Sequence, residues 1–235
     1  MKFKAMTYNI CSGKNLARER DLNFAASVIR NVQPDFVTLN EVRCHTDDVP
    51  LHQAQELGRL TGYYPVFGKS IDIMNGEYGN AFLTRFPLLE YAVVHIPDRR
   101  NEEKAFYEHR SVLRCVLDVG GKNVTVLSTH FGLAKVEQES AVETVMKILD
   151  GENNPVILMG DLNMSPDDAT LDPLFSAMHD TASRSDEIKT FPSGTPESKI
   201  DYIFCTDPIS TVSLCSINTQ CSDHRPLIAE LKIDT

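Results

Sequence analysis

No apolar run in this chain approaches the ~20 residues that a bilayer-spanning helix needs, which argues against a helical membrane span. No CxxC pair is present either. The six cysteines, Cys11, Cys44, Cys115, Cys205, Cys215 and Cys221, stand apart, so the paired knuckles of a structural zinc site are missing. Cys115 and Cys205 fall inside apolar, strand-like runs, where a thiol behaves as a small core residue. Reduced, buried thiols are the expectation for most of the six. Cys44-His45 is a neighbouring Cys/His pair without further ligands, and nothing is assigned to it. The opening Met1-Lys2-Phe3-Lys4-Ala5-Met6 lacks the apolar core and small-residue cleavage site of a signal peptide, so a cytoplasmic protein is expected. Linkers, low-complexity tracts and heptads are also missing. The length fits one large domain over residues 1–235, with a sizeable core.

Positive charge is scarce. Lysine and arginine number 23 against 33 acidic residues, giving a formal charge of −10 and a pI near 5.1. A protein that binds by neutralising many phosphates carries the opposite balance. Tight nonspecific binding to long DNA is therefore disfavoured, and small or membrane-displayed phosphate substrates gain by comparison.

What the chain does have is a set of apolar segments that end in polar groups. The last cluster, Ser222-Asp223-His224-Arg225-Pro226, stands before the alternating run Leu227, Ile228, Ala229 and Leu231, with Lys199-Ile200-Asp201-Tyr202 upstream. Thr7-Tyr8-Asn9, Leu39-Asn40-Glu41 and Met159-Gly160-Asp161-Leu162-Asn163 each close an apolar run in the same way. Strand ends are where catalytic side chains collect.

The two halves echo each other. The first predicts a strand over Phe3 to Tyr8, a helix over Leu22 to Val32 and a strand from Asp35 to Leu39. The second predicts a strand over Val124 to Ser128, a helix over Gln138 to Leu149 and a strand from Val156 to Met159. Helical spacing shows in Phe24, Val28 and Ile29, and again in Val142, Val145, Met146 and Leu149. Pro34 and Pro155 stand just before the returning strands, where a helix cannot continue. Ser111 to Val119 and Val124 to Ser128, joined through Gly120-Gly121, read as an antiparallel hairpin, which favours mixed sheets over a doubly wound parallel one. Two sheets packed together and covered by helices follow. Val42 to Pro50, Lys69 to Gly79, Pro97 to His109 and Ser183 to Ser198 are the least regular stretches and are expected to form the rim of a site. The run Arg99-Arg100-Asn101-Glu102-Glu103-Lys104 reads as a solvated loop.

The polar groups suit a metal and a phosphate. Magnesium takes hard oxygen ligands and keeps several waters, so one or two carboxylates suffice to hold it. Glu41 and Asp223 fit that role, with Asn9 as a neutral supporting oxygen. Asp161-Leu162-Asn163 places two polar side chains on one side of an extended segment. The carboxylate there can orient or deprotonate a water while the amide hydrogen-bonds the water or a phosphate. Asp201 can pair with His224, fixing the imidazole's tautomer and favouring its charged form. His130, in Ser128-Thr129-His130, supplies a second imidazole.

Taken in order, Thr7-Tyr8-Asn9, Leu39-Asn40-Glu41, Tyr78-Gly79-Asn80-Ala81 through Arg85-Phe86-Pro87, Ser128-Thr129-His130, Gly160-Asp161-Leu162-Asn163, Ile200-Asp201-Tyr202 and Ser222-Asp223-His224 resemble the endonuclease/exonuclease/phosphatase superfamily. That superfamily includes pancreatic deoxyribonuclease, abasic-site endonucleases, inositol-polyphosphate 5-phosphatases and neutral sphingomyelinases. The resemblance spans essentially the whole chain. It implies an α+β fold, a four-layer α/β/β/α sandwich of two mixed sheets flanked by helices. It implies Asn9 and Glu41 at the metal, with Asp223 as the acid beside the terminal histidine, and Mg²⁺ or Mn²⁺ as cofactor. It further implies Asp161 as the water-orienting group, Asn163 and His130 on the phosphate, and Asp201 paired with His224. Arg110 resembles an arginine often found near the site, and Asn80 is carried with it as a substrate-binding candidate, with Gly79-Asn80 expected to serve a turn first.

Position 130 holds His where abasic-site endonucleases of the exonuclease III type carry Tyr. Together with the acidic pI, this turns the expectation from DNA repair toward a phosphate-ester substrate of small-molecule or lipid-headgroup type, acted on by a monomer. A nuclease is the nearest alternative, supported by Arg85, Arg110 and Arg225. A catalytically silent binding module would be expected to have lost a metal ligand or the partner of His224, and this chain keeps both.

Overall fold

The computed structural model describes residues 1–99 and 108–233. Most of the charge run beginning at Arg99, and much of the Pro97 to His109 stretch, therefore lies outside the described residues. Among the described residues, thirteen strands and four α-helices follow in chain order. They are β1 (Lys2–Asn9), α1 (Leu22–Val32), β2 (Phe36–Thr46), β3 (Val49–His52), α2 (Gln53–Thr61), β4 (Tyr64–Ile73), β5 (Gly76–Thr84), β6 (Leu88–His95) and β7 (Ser111–Asp118). The second half adds β8 (Asn123–His130), α3 (Lys135–Gly151), β9 (Val156–Asp161), α4 (Asp172–Ala177), β10 (His179–Asp180), β11 (Asp201–Cys205), β12 (Ile209–Ser216) and β13 (Leu227–Ile233).

The strands form two mixed sheets. One runs β12-β13-β1-β2-β5-β4 with β3 attached to β2, and the other runs β10-β11-β9-β8-β7-β6. β1 is parallel to β2 and β8 is parallel to β9, each pair joined through a helix, as the strand-helix-strand echo requires. β7 and β8 pair antiparallel, confirming the hairpin read through Gly120-Gly121.

Side-chain alternation sorts the layers. Phe3 and Ala5 of β1, Phe36 of β2 and Phe82 of β5 point between the sheets, meeting Leu113, Val126, Ile157, Met159 and Ile203 from the other sheet. Met6, Tyr8, Val37, Leu39, Ala81 and Leu83 point the opposite way, against Ala25, Ala26 and Ile29 of α1 and Leu57 of α2. Leu158, Tyr202 and Phe204 likewise face Ala141, Val142 and Val145 of α3 and Leu174 of α4. Three apolar cores thus separate four layers, the α/β/β/α sandwich.

Helix α1 starts where Asp21 accepts a hydrogen bond from the Asn23 amide, and it ends at Gln33 in the left-handed region, just ahead of Pro34. Two stretches expected as irregular loops are strands instead. Val42 to Thr46 continues β2 and pairs with β3, while Lys69 to Ile73 and Gly76 to Gly79 form the β4–β5 hairpin. Their half-exposed, mostly polar sequences hide the strand period. Met74 and Asn75, both at positive φ, close the hairpin in two residues, a geometry that matches strand twist. Gly79 serves no turn; it lies within β5, where a Cβ would stand 2.0 Å from the Gly68 carbonyl oxygen. Close approach of two strands, rather than backbone freedom, demands glycine there. Four cysteines, Cys11, Cys44, Cys115 and Cys205, are buried as expected, while Cys215 is exposed and Cys221 half-buried.

Candidate active site

The same alternation that sends Phe3 and Ala5 between the sheets sends Asn9 there too, at the strand's end. Asn40 follows Phe36 on β2, His130 follows Val126 on β8, and Asp161 follows Ile157 and Met159 on β9. Registers align these residues: Asn9 lies beside Asn40, His130 beside Asp161, and Asp201 opposite Asp161. The apolar inter-sheet core therefore passes into a polar cluster at one end of the sandwich.

Oδ2 of Asp161 is the hub. Asn9 Nδ2 donates to it at 3.1 Å, and His130 Nε2 and His224 Nε2 stand 3.5 and 3.6 Å away. Its other oxygen accepts from the Asn163 amide at 3.0 Å. Asn163 itself is in the left-handed region, φ 52°, so Asp161 and Asn163 converge through a turn rather than along an extended segment. Asn163 Nδ2 then reaches His130 Nε2 at 3.1 Å and the Phe131 carbonyl at 2.9 Å.

On the far side of Asp161, His224 Nδ1 pairs with Asp201 Oδ2 at 2.9 Å. Thr190 donates to that same oxygen at 2.5 Å, and the Phe191 ring packs 4.8 Å from the imidazole. Burial opposes charge on His224, but Asp201, Asp161 and the Asp201 hydrogen bond outweigh it and hold the imidazole charged, its pKa raised to about 10. His130 goes the other way. Burial, Arg110 and His224 all push its pKa well below the usual histidine range, so it stays neutral. Asp161 is lifted above the ordinary carboxylate range by burial and by Asp201, against the pull of His224 and its hydrogen-bond donors.

The metal candidates gather around Asn9. Asn9 Nδ2 also donates to Glu41 Oε1 at 3.1 Å, while its Oδ1 accepts the Cys11 amide at 3.0 Å. Because a backbone N–H can only donate, that contact fixes the amide's orientation. Asn9 therefore presents a donor to the two carboxylates, where the sequence led us to expect a supporting oxygen. Glu41 sits at φ 60° inside a register shift between Leu39 and Val42, which turns it out of the ladder. Ser222 holds Asp223 on the other flank, with Oγ 2.7 Å from the Asn9 carbonyl and 3.3 Å from Asp223 Oδ1.

Among the described residues, Asp161, Asp201 and His224 bring three metal-capable groups within 4.8 Å of one another. In that trio the imidazolium already supplies the positive charge. Glu41 and Asp223 offer hard carboxylate oxygens with no such internal cation, and this donor set fits a magnesium-type ion that keeps some of its waters.

Two further expectations change. Asn80 is buried, with its Oδ1 accepting from Asn40 at 2.8 Å and its Nδ2 donating to the Ser111 carbonyl at 3.1 Å. It supports the site from behind, buried, with both polar atoms engaged inside the protein. Of the three arginines, Arg85 lies at the opposite end of the sheet, stacked on Tyr63, because its neighbour Thr84 pairs with Phe36. Arg225 spends its guanidinium on the carbonyls of Ser193 and Gly194. Arg110 remains beside His130, with an ion pair to Glu108 at 3.0 Å.

The sequence reading missed Asn40, whose amide donates to the Thr129 carbonyl at 2.9 Å and accepts the Asp161 amide at 3.0 Å. It ties the two sheets together at the cluster. An asparagine inside a buried strand was the signal. Thr190 and Phe191 were missed as well, with nothing in their local sequence to mark them, while Ser222 stood in the Ser222-Asp223-His224 motif without a role of its own.

A buried carboxylate hub, a charged imidazole held by a second carboxylate, and two further carboxylates beside Asn9 and Ser222 gather in a phosphoesterase-type site on a deoxyribonuclease-like sandwich. The chain belongs to the endonuclease/exonuclease/phosphatase family, whose model matches residues 6–224. The protein called "Uncharacterized protein YbhP" of Escherichia coli K12 is 29% identical over 259 residues, covering 98% of this chain and 96% of that one. A solved endonuclease/exonuclease/phosphatase from Beutenbergia cavernae superposes with a TM-score of 0.82 at 25% identity, over 99% of this chain and 72% of the other. A mannosyl-6-phosphatase of Bacteroides thetaiotaomicron shares the fold, with a TM-score of 0.78 at 18% identity over 98% and 100% of the two chains. No helix among the described residues is long and apolar enough to cross a membrane.

Proposed function

We propose that this protein is a Mg²⁺-dependent phosphoesterase that hydrolyses a small-molecule or lipid-headgroup phosphate ester by in-line attack of water. The observation that carries the reading is the convergence of Asn9, His130 and His224 on one oxygen of Asp161. Asp161 orients the attacking water and accepts its proton. Asn163 Nδ2 and the Nε2–H tautomer of neutral His130 donate to the phosphoryl oxygens, exchanging their mutual contact for the substrate. His224, kept charged by Asp201, stabilises the developing charge and gives its proton to the leaving oxygen. Glu41 and Asp223 are the residues that would hold the cation, which when bound polarises the phosphoryl oxygen.

Several features favour a compact substrate over duplex DNA. Net charge is −10, and two of the three arginines that would track a nucleic-acid backbone are engaged elsewhere. A cavity of about 540 Å³, lined in part by Lys69, Ser70, His95, His109 and Arg110, adjoins the site at Arg110 and could take the non-reacting part of such a molecule. The sugar phosphatase among proteins of the same fold agrees with this choice.

Hydrolysis of bis-p-nitrophenyl phosphate and p-nitrophenyl phosphate, each with Mg²⁺, Mn²⁺ or EDTA, tests the reading beside a supercoiled-plasmid nicking assay. Metal-dependent cleavage of a small ester without nicking supports it. Nicking at the same enzyme level replaces it with a nuclease, and the absence of all turnover sinks both.

A further inference from the structure

Gln53 takes no part in the chemistry above, yet its side chain is fully buried and joins the two segments that carry Asn9 and Glu41. Directly after β1 the chain makes a tight left-handed turn, with φ 47° at Cys11, 55° at Ser12 and 81° at Gly13. Residues with a Cβ seldom adopt that conformation singly, and two in succession need outside support. Ser12 receives it at both of its oxygens. Gln53 Nε2 donates to the Ser12 carbonyl at 2.7 Å, and Arg43 Nε donates to the Ser12 hydroxyl at 3.1 Å. The other end of the Gln53 amide, Oε1, accepts the Arg43 backbone N–H at 2.8 Å. A carbonyl only accepts and a backbone N–H only donates, so the amide's orientation is fixed. Gly13 completes the fit, since a Cβ there would stand 3.1 Å from Gln53 Nε2.

The turn in its turn aims Asn9. The Cys11 N–H donates to Asn9 Oδ1 at 3.0 Å, which leaves Nδ2 to serve Glu41 and Asp161, each at 3.1 Å. A turn relaxed toward ordinary backbone angles would carry the Cys11 N–H away and free the Asn9 side chain to rotate. Both carboxylates would then lose a donor. Gln53 opens α2, and Arg43 lies on β2 just past the register shift between Leu39 and Val42. One side chain thus ties helix, turn and strand together behind the site.

We propose that Gln53 is a positioning residue, clamping the Cys11–Gly13 turn to β2 so that Asn9 keeps its donor on Asp161 and Glu41. It touches no reacting atom and acts only through the turn. The inference rests on the water-orienting role given to Asp161 in the proposed function.

The test follows solvent exchange of the Asn9 side-chain amide by NMR in the full chain, after EDTA treatment and desalting. Loss of the signal in Asn9→Ala identifies it. Held between two carboxylates, that amide should exchange slowly. Gln53→Met, of similar length but without the hydrogen bonds, should speed its exchange roughly tenfold or more. With Mg²⁺ and p-nitrophenyl phosphate, kcat of the same variant should fall roughly ten- to a hundredfold while KM moves less. Gln138→Met is the comparison, because Gln138 is also buried and donates to the Gly132 and Asn163 carbonyls at 3.3 and 3.1 Å. It should leave Asn9 exchange as in the parent. Ser12→Gly added to Gln53→Met should restore slow exchange, since glycine holds a positive φ unaided. Unchanged exchange or unchanged kcat in Gln53→Met, equal acceleration in Gln138→Met, or no recovery with Ser12→Gly overturns the proposal. Should Gln53→Met fail to fold by circular dichroism, Ser12→Ala, which breaks only the Arg43 Nε contact, carries the same expectation. A parent without turnover refutes the proposed function, and the exchange readout still decides this inference. Turnover in the parent beside unchanged exchange in Gln53→Met refutes this inference alone.

Discussion

His224 is held between two acids, with Asp201 at 2.9 Å on Nδ1 and Asp161 facing Nε2 at 3.6 Å. The contact at Nδ1 leaves Nε2 facing Asp161, and the charge of Asp201 helps keep the imidazole protonated at neutral pH. Asp201 thus acts on both groups at once, raising the pKa of His224 and, after burial, that of Asp161.

Asp201→Asn should therefore change the pH profile as well as the rate. Removing the anion lowers the imidazolium pKa from about 10, so the alkaline limb of kcat should move toward neutral pH. The rate at neutral pH should fall by roughly 10²- to 10⁴-fold, the range for a lost general acid. An alkaline limb that stays where it was in the unaltered protein would reject the assignment.

Asp161→Asn should abolish turnover without loosening the fold. Its native pKa is raised above the unfolded value of about 3.9, so the native state holds the extra proton between the two. That difference makes its ionised form a liability, and stability declines as pH climbs above about 4 toward the native value. The amide variant lacks this penalty and should melt no lower than the parent at pH 8. Scanning calorimetry beside an activity assay decides; a marked drop in melting temperature contradicts the account.

Gly160 sits at φ 147°, and a Cβ there would lie 1.8 Å from the Thr129 carbonyl oxygen. The clash is with backbone, inside the parallel pair that aligns His130 with Asp161. Gly160→Ala should destabilise by about 3 kcal/mol or more, measured by urea unfolding. Near-parental stability would show that β8 and β9 can part without harm.

Asp168 caps the turn Ala169–Leu171 through the Thr170 amide and pairs with Lys135 at 2.7 Å. The hydrogen bond from Lys135, with Thr170, draws its pKa down to about 2. A depressed acid contributes stability above its unfolded pKa and loses it as pH falls through the folded one. Asp168→Ala should thus lose about 1 kcal/mol at pH 7, with the gap to the parent narrowing below pH 4 and closing near pH 2. A gap of constant size across that range would exclude the charge as its source.

Much of this protein was written in its sequence. The period of two in Phe3, Ala5, Thr7 and Asn9 fixes which face of β1 each residue occupies, and the helical period of Leu22 to Val32 fixes α1. The identities of Asn9, Glu41, His130, Asp161, Asn163, Asp201, Asp223 and His224 carried the site, because their chemistry suits few other tasks in combination. Polar strands such as Lys69 to Ile73 escaped notice, since a half-exposed hairpin leaves no apolar alternation to read.

Tertiary structure alone decided which atoms face one another. The stacking of two sheets brings Asn9 from one onto Asp161 of the other, 152 positions away in the chain, and Asn40 bridges the same gap. Non-local packing also settled that Asn80 is a brace, that Arg85 stands at the wrong end, and that Asn9 offers a donor rather than an oxygen. Side-chain direction depends on register shifts, left-handed turns at Glu41 and Asn163, and partners far along the chain. None of these leaves a local signature, because each follows from the whole chain minimising unpaired polar groups at once.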